Sequence, residues 1–160
     1  MLRKIVYDLE TKKAFNEVDW RIPEDLGVSL LVVYDYADQA YKTFREEDLK
    51  RLWPLFENAD CIIGFNNKSF DNRVLGAYYP GDVNRFSHLD LLEEIRKAVG
   101  FRIRLADIAA ATLGESKLGG GLQAIQWYKD GNFTALEAYC KQDVLVTKGI
   151  YEYALKNGKV

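Results

Sequence analysis

The stretch KIVYDLETKKAF, Lys4 to Phe15, decides how the rest of the chain is read. Ile5, Val6, Tyr7 and Leu9 are residue types that favour a pleated, buried surface, so KIVYDLET reads as a central strand. Within it Asp8 and Glu10 stand two apart, which puts both side chains on one face of a strand. Two like charges in so apolar a setting are costly unless something positive lies between them. A hard divalent cation such as Mg²⁺ or Mn²⁺, which prefers oxygen ligands, answers that need. The competing reading ends the strand at Asp8 and turns both carboxylates to water.

Outward from this strand the pattern is mixed. VSLLVVYDY, Val28 to Tyr36, is a second strand and AYKTF, Ala40 to Phe44, a third. The short polar turn around Asp38 and Gln39 makes these two an antiparallel hairpin. REEDLKRLWPLFENA then changes to a helical period, with Leu49, Leu52, Trp53, Leu55 and Phe56 on one side and Pro54 as a kink or a restart. DCIIGF, Asp60 to Phe65, is a short buried strand, followed by a loop and a helix with Asn67 or Ser69 as cap candidates. From Leu89 onward the reading is nearly all helical, with Gly100, Gly114 and Gly131 as helix ends and a last helix from about Ala135 to Leu155. The expectation is a single α/β domain over residues 1–160: a small mixed sheet with an early antiparallel hairpin, flanked by helices.

Composition excludes several classes. Of 160 residues, 48% are hydrophobic and 29% charged, the balance of a soluble globular domain. A formal net charge of -2 gives no basic footprint for tight, non-specific duplex binding. Cys61 and Cys140 are too few for a metal cluster or a disulfide framework, so a reduced cytoplasmic setting is expected. MLRKIVYDLE turns acidic at once, unlike a signal peptide, and the run from Leu26 to Tyr36 is far short of a membrane span. The one histidine, His88, reads as a loop or helix-start residue rather than a zinc ligand.

Three further side chains join the acidic pair. Asp71 opens the helix after DCIIGF; it is either a charge placed at a helix N-terminus or a ligand group at a strand-to-helix junction. In YCKQD, Tyr139 and Asp143 are four apart and share a helix face. Asp143 has both an apolar and a wet flank, and Tyr139 also suits a core aromatic. The joint pattern is four carboxylates, Asp8, Glu10, Asp71 and Asp143, with one phenol beside them.

In order, YDLET, GFNNKSFD and YCKQD resemble the three motifs of the DEDD superfamily of ribonuclease-H-like 3′–5′ exonucleases, in its tyrosine subgroup. The likeness is to the branch related to proofreading domains of family B DNA polymerases, domains that also occur fused to helicases. It implies a ribonuclease-H-like fold and a metal-dependent 3′–5′ exonuclease releasing nucleoside 5′-monophosphates. The implied catalytic residues are Asp8, Glu10, Asp71, Tyr139 and Asp143, the four carboxylates holding two Mg²⁺ or Mn²⁺ ions and Tyr139 aiming water. The implied substrate is a single-stranded or frayed 3′ end, DNA ahead of RNA, delivered in some relatives by a helicase or polymerase partner and not at a membrane. Asn67 and Phe70 are the expected contacts to terminal nucleotides; Arg102, Arg104 and Lys117 are the basic residues placed to meet phosphates. Two other classes stay open: a non-catalytic nucleic-acid-binding module of the same fold, and a structure-specific endonuclease.

Overall fold

The computed structural model describes residues 1–115 and 120–159. Strand β1 (Lys4–Thr11) is paired on both edges. On one side it runs antiparallel to β2 (Val28–Asp35), Ile5 opposite Asp35; on the other it runs parallel to β4 (Cys61–Gly64), Ile5 opposite Ile62. The hairpin partner β3 (Ala40–Arg45) and a short β5 (His88–Asp90) complete the order β3-β2-β1-β4-β5. This is the mixed sheet with an early hairpin that the strand composition implies.

β5 corrects the reading of residues 88–90 as loop or helix. Three residues are too few to show a strand's alternation. They are held extended by their neighbour, with Ile62 N–H donating to the Ser87 carbonyl at 2.8 Å and Ile62 lying beside His88. The segment after β3 is a 3₁₀ turn over Glu46–Arg51 and then α1 (Trp53–Glu57), with Pro54 in its first turn, so the helix restarts there rather than kinks. The short helix α2 (Asp71–Leu75) is entered through Phe70, not capped by Asn67 or Ser69. Asn67 is drawn into the interior and Ser69 donates its hydroxyl to Asn66 Oδ1 at 2.7 Å, so neither side chain is available as a cap.

The helical half follows the sequence closely: α3 (Leu91–Val99), α4 (Leu105–Leu113), α5 (Gly121–Lys129) and α6 (Phe133–Asn157). Gly100 and Gly114 close α3 and α4 at φ of 85° and 68°, a region that L side chains avoid. None of the helices among the described residues is long and apolar enough to cross a membrane.

Alternation along β1 divides the interior in two. Ile5, Tyr7 and Leu9 face one core with Leu26, Phe56, Val74 and Leu75. Val6 faces the other with Ile63, Leu136, Val144 and Ile150, under α6. Each such large apolar side chain contributes about 1.5–3 kcal/mol when fully buried, so the pairing register of β1 is strongly determined. Asp8 and Glu10 share the parity of Val6 and therefore point toward α6, at the C-terminal end of the parallel strands.

The opposite end of β1 is closed by charge. Asp35 is fully buried and accepts from Arg3 Nη2 at 2.7 Å, Lys42 Nζ at 2.9 Å and the Ala37 amide at 3.0 Å. Burial pushes its carboxyl up, but the bonds from Lys42 and Arg3 outweigh this and hold it below the usual range. Asp35→Ala is expected to cost about 1–3 kcal/mol, because both cations can still reach water. A carboxyl depressed on folding stabilises above its unfolded pKa, so the wild-type advantage in thermal melts holds at neutral pH. It fades as pH falls below about 4. An unchanged Tm at pH 7 would show that the pair does not close this end.

Candidate active site

Each acidic side chain reaches its place by local rules. Asp8 and Glu10 follow from strand parity, Asp8 half-buried and Glu10 9% exposed. A register shift between Glu10 and Thr11, opposite Leu30 and Val28, turns the strand just beyond them. Tyr139 and Asp143 lie one turn apart on the buried face of α6, at 3% and 7% exposure. Asp71, 4% exposed, is the first residue of α2, and its Oδ1 accepts from the Leu9 amide at 3.4 Å. That bond ties the helix after β4 to the strand that carries the acidic pair.

Their mutual fields show the convergence. Burial pushes the Asp71 carboxyl up; its own amide and that of Leu9 pull it back, and the charges of Asp90 and Asp143 add to the rise, which ends at about 7. The Tyr139 phenol is pushed up by burial and then by Asp143, Glu10 and Asp8. The charges of Asp8, Glu10 and Asp143 thus act on Tyr139, and that of Asp143 acts on Asp71, so the five expected residues lie within one another's electrostatic reach. Tyr139 also makes an edge-to-face contact with Trp127, ring centres 5.9 Å apart, so its core role and its place in the site coexist.

Two residues of the site escaped the sequence reading. Asp90, fully inside at the end of β5, accepts from the amides of Asn66, Lys68, Leu92 and Glu93 at 2.8–3.3 Å and so fixes the loop before α2. An aspartate before LLEEI is a recognisable helix cap, which was its signal. Cys140 lies between Tyr139 and Asp143 in sequence, fully buried, and its Sγ donates to the Asp8 carbonyl at 3.4 Å. The thiol is pushed well up by burial and by Asp8, Glu10 and Asp143. Two cysteines make no metal cluster by themselves, but one of them stands inside this one.

The expected substrate contacts separate. Asn67 is buried; its Nδ2 donates to His88 Nδ1 at 3.2 Å while its Oδ1 has no hydrogen-bond partner among the described residues. His88 is thus a half-buried strand residue whose Nε2 donates to the Val83 carbonyl at 2.9 Å, and burial lowers its pKa. Both nitrogens are engaged within the protein, which agrees with its not being a zinc ligand. Phe70 packs on Phe15, ring centres 5.7 Å apart, and with Glu10, Leu122 and Ile125 they line a cavity of about 350 Å³ directly beside the acidic pair. Arg102 is exposed and lines a polar cleft with Asn66, Lys68 and Arg96. Arg104 is spent on Asp107, at 2.8 and 3.1 Å. Lys117 lies outside the described residues.

The donor chemistry fits a cation. Asp35 and Asp90 are buried too, but the first has two cations and the second four amides. Asp71 has one long amide bond beyond its own helix and two negative neighbours, and its carboxyl rises accordingly. Asp8, Glu10 and Cys140 place one ligand atom each within 4.8 Å of one another.

Residues 7–155 match the RNase_H_2 family of the RNase_H superfamily. The chain belongs to that family. Among solved structures, the family B DNA polymerase from the hyperthermophilic archaeon Pyrobaculum calidifontis superposes with a TM-score of 0.71 at 19% identity, over 97% of this chain and 25% of the polymerase. The RNase_H_2 chain thus spans about a quarter of that polymerase's length, and the likeness is one of fold. No curated protein matches its sequence. Family and acidic centre together are consistent with a nuclease-type hydrolase that binds a metal ion.

A carboxyl raised by folding keeps a proton that the unfolded chain has released, so the metal-free protein loses stability as pH rises from about 4 to 7. In chelator, Tm is expected to fall between pH 5 and 7.5; Asp71→Asn or millimolar Mn²⁺ flattens that fall. A flat wild-type profile in chelator contradicts the strained centre. Separately, a Cβ on Gly64 meets Asn67 Cγ at 2.6 Å, and that side chain must move. Gly64→Ala is expected to cost about 1–3 kcal/mol and to shift the NMR signal of the chain's only histidine, the partner of Asn67. An unmoved His88 signal sinks the packing argument.

Proposed function

We propose that the chain is a metal-dependent 3′–5′ exonuclease acting on single-stranded or frayed ends, DNA ahead of RNA, and releasing nucleoside 5′-monophosphates. The observation that carries this reading is the acidic pair Asp8 and Glu10 near the end of β1, with Asp71 bonded to the Leu9 amide between them and the charges of Asp8, Glu10 and Asp143 acting on the Tyr139 phenol. In this reading the four carboxylates hold two Mg²⁺ or Mn²⁺ ions. Bound there, the ions supply charge neutralisation at the phosphate and acidify water.

The chain's own residues do the rest. Burial and the charges of Asp143, Glu10 and Asp8 push the Tyr139 phenol up, which favours a hydroxyl that orients water by hydrogen bonding. Leu9 N–H holds Asp71 in register with Asp8 and Glu10. The cavity lined by Phe15, Phe70 and Leu122 is apolar and opens beside Glu10, which suits a terminal base stacked on an aromatic ring. Such stacking is tolerant of sequence, as an exonuclease requires. Arg102, exposed and without an ion pair among the described residues, suits a backbone phosphate, whereas Arg104 is held by Asp107. A helicase or polymerase partner is a natural source of ends for a chain whose formal net charge is -2.

The test uses a 5′-labelled single strand, a matched duplex and a covalently closed circle, each with Mn²⁺. A descending ladder from the linear strand, slower loss from blunt duplex and an intact circle are expected. Asp8→Asn should abolish turnover with the fold retained. Tyr139→Phe should lower the rate roughly 10- to 1000-fold with metal binding intact. Cutting of the circle moves the assignment to an endonuclease; inertness on DNA and RNA with every metal moves it to a binding module.

A further inference from the structure

Cys140 has no part in the chemistry above, yet it lies against the acidic pair. Its Sγ lies 3.8 Å from Asp8 Oδ2, and Sγ and one oxygen each of Asp8 and Glu10 fall within 4.8 Å of one another. Two donors on one zinc ion are separated by less than the sum of their bonds, about 4.4 Å for one sulfur and one oxygen. The three donors are thus within a small side-chain adjustment of a common ion. Mg²⁺ and Mn²⁺ take oxygen ligands and leave a thiol alone, whereas zinc-like cations favour thiolate.

We propose that Asp8, Glu10 and Cys140 form an alternative coordination set for a thiophilic divalent cation, Zn²⁺ or Cd²⁺ in chemical class, which excludes the hard cations from the same two carboxylates. Three protein ligands with a fourth position left to solvent is an ordinary arrangement for such an ion. As the sulfur–metal bond forms, the thiol proton passes to solvent; no electron is transferred. The ion enters past Asp8, the only one of the three that is not buried. A centre built this way is active with hard cations and is captured by a thiophilic one, so free zinc sets how much of the protein is competent. The inference rests on the reading of Asp8 and Glu10 as metal ligands.

The experiment titrates the metal-free protein with Co²⁺ and, separately, Cd²⁺, and follows the sulfur-to-metal charge-transfer absorption. One equivalent should saturate the band in the wild type and in Cys61→Ala, and excess Mn²⁺ should bleach it. Cys140→Ala and Cys140→Ser should lack it, and Asp8→Asn should weaken binding about tenfold or more. Where the Cys140 variants do not fold, Asp8→Asn and Glu10→Gln, which keep the thiol, decide the matter through that loss of affinity. No band in the wild type, a band that follows Cys61, or one indifferent to both carboxylate variants overturns the proposal. The absorption reports sulfur ligation and not turnover. A band in a protein inert as a nuclease keeps this inference and rejects the exonuclease reading; stepwise hydrolysis without a band does the reverse.

Discussion

Everything in this molecule hangs on the pairing of β1 along both of its edges. With β2 antiparallel on one side and β4 parallel on the other, β1 cannot slip by a residue without turning Ile5, Tyr7 and Leu9 out of one core and Val6 out of the other. The same alternation that satisfies two hydrophobic cores delivers Asp8 and Glu10 to the face beneath α6. Packing energy on the apolar residues thus holds the acidic ones where they would not go unaided.

Three buried carboxylates show how differently one fold treats the same group. Asp35 is neutralised by Arg3 and Lys42, Asp90 is solvated by four amides, and Asp71 is left with negative neighbours. The first two make structure; the third stores electrostatic cost at the mouth of the parallel strands. A group kept in so unfavourable a place is a mark of a functional site, and a cation bound beside it would relieve the cost.

Fold alone does not select an activity. A common scaffold hosts unlike chemistries. What favours hydrolysis is the set of side chains: the carboxylates near the end of β1, the phenol in their field and the apolar cavity that opens beside Glu10. Cys140 lies against the same pair and adds a sulfur donor to their oxygens.

What the sequence by itself determined follows from local periodicity. The period of two in KIVYDLET, the turn at Asp38 and Gln39, the glycine ends of α3 and α4, and the i, i+4 spacing of Tyr139 and Asp143 are all short-range signals, and each element stands where they put it. Tertiary structure alone decided the rest. β5 is a strand only because β4 lies beside it. Asn67 forfeits its role as a cap because the interior takes its side chain over Gly64 and against His88. Arg102 and Arg104 look alike in sequence, yet only Arg104 is held by Asp107. Cys140 meets Asp8 across 132 positions of chain. Proximity of that kind arises from sheet order and from the path of α6 across β1, and no local pattern of residues encodes it.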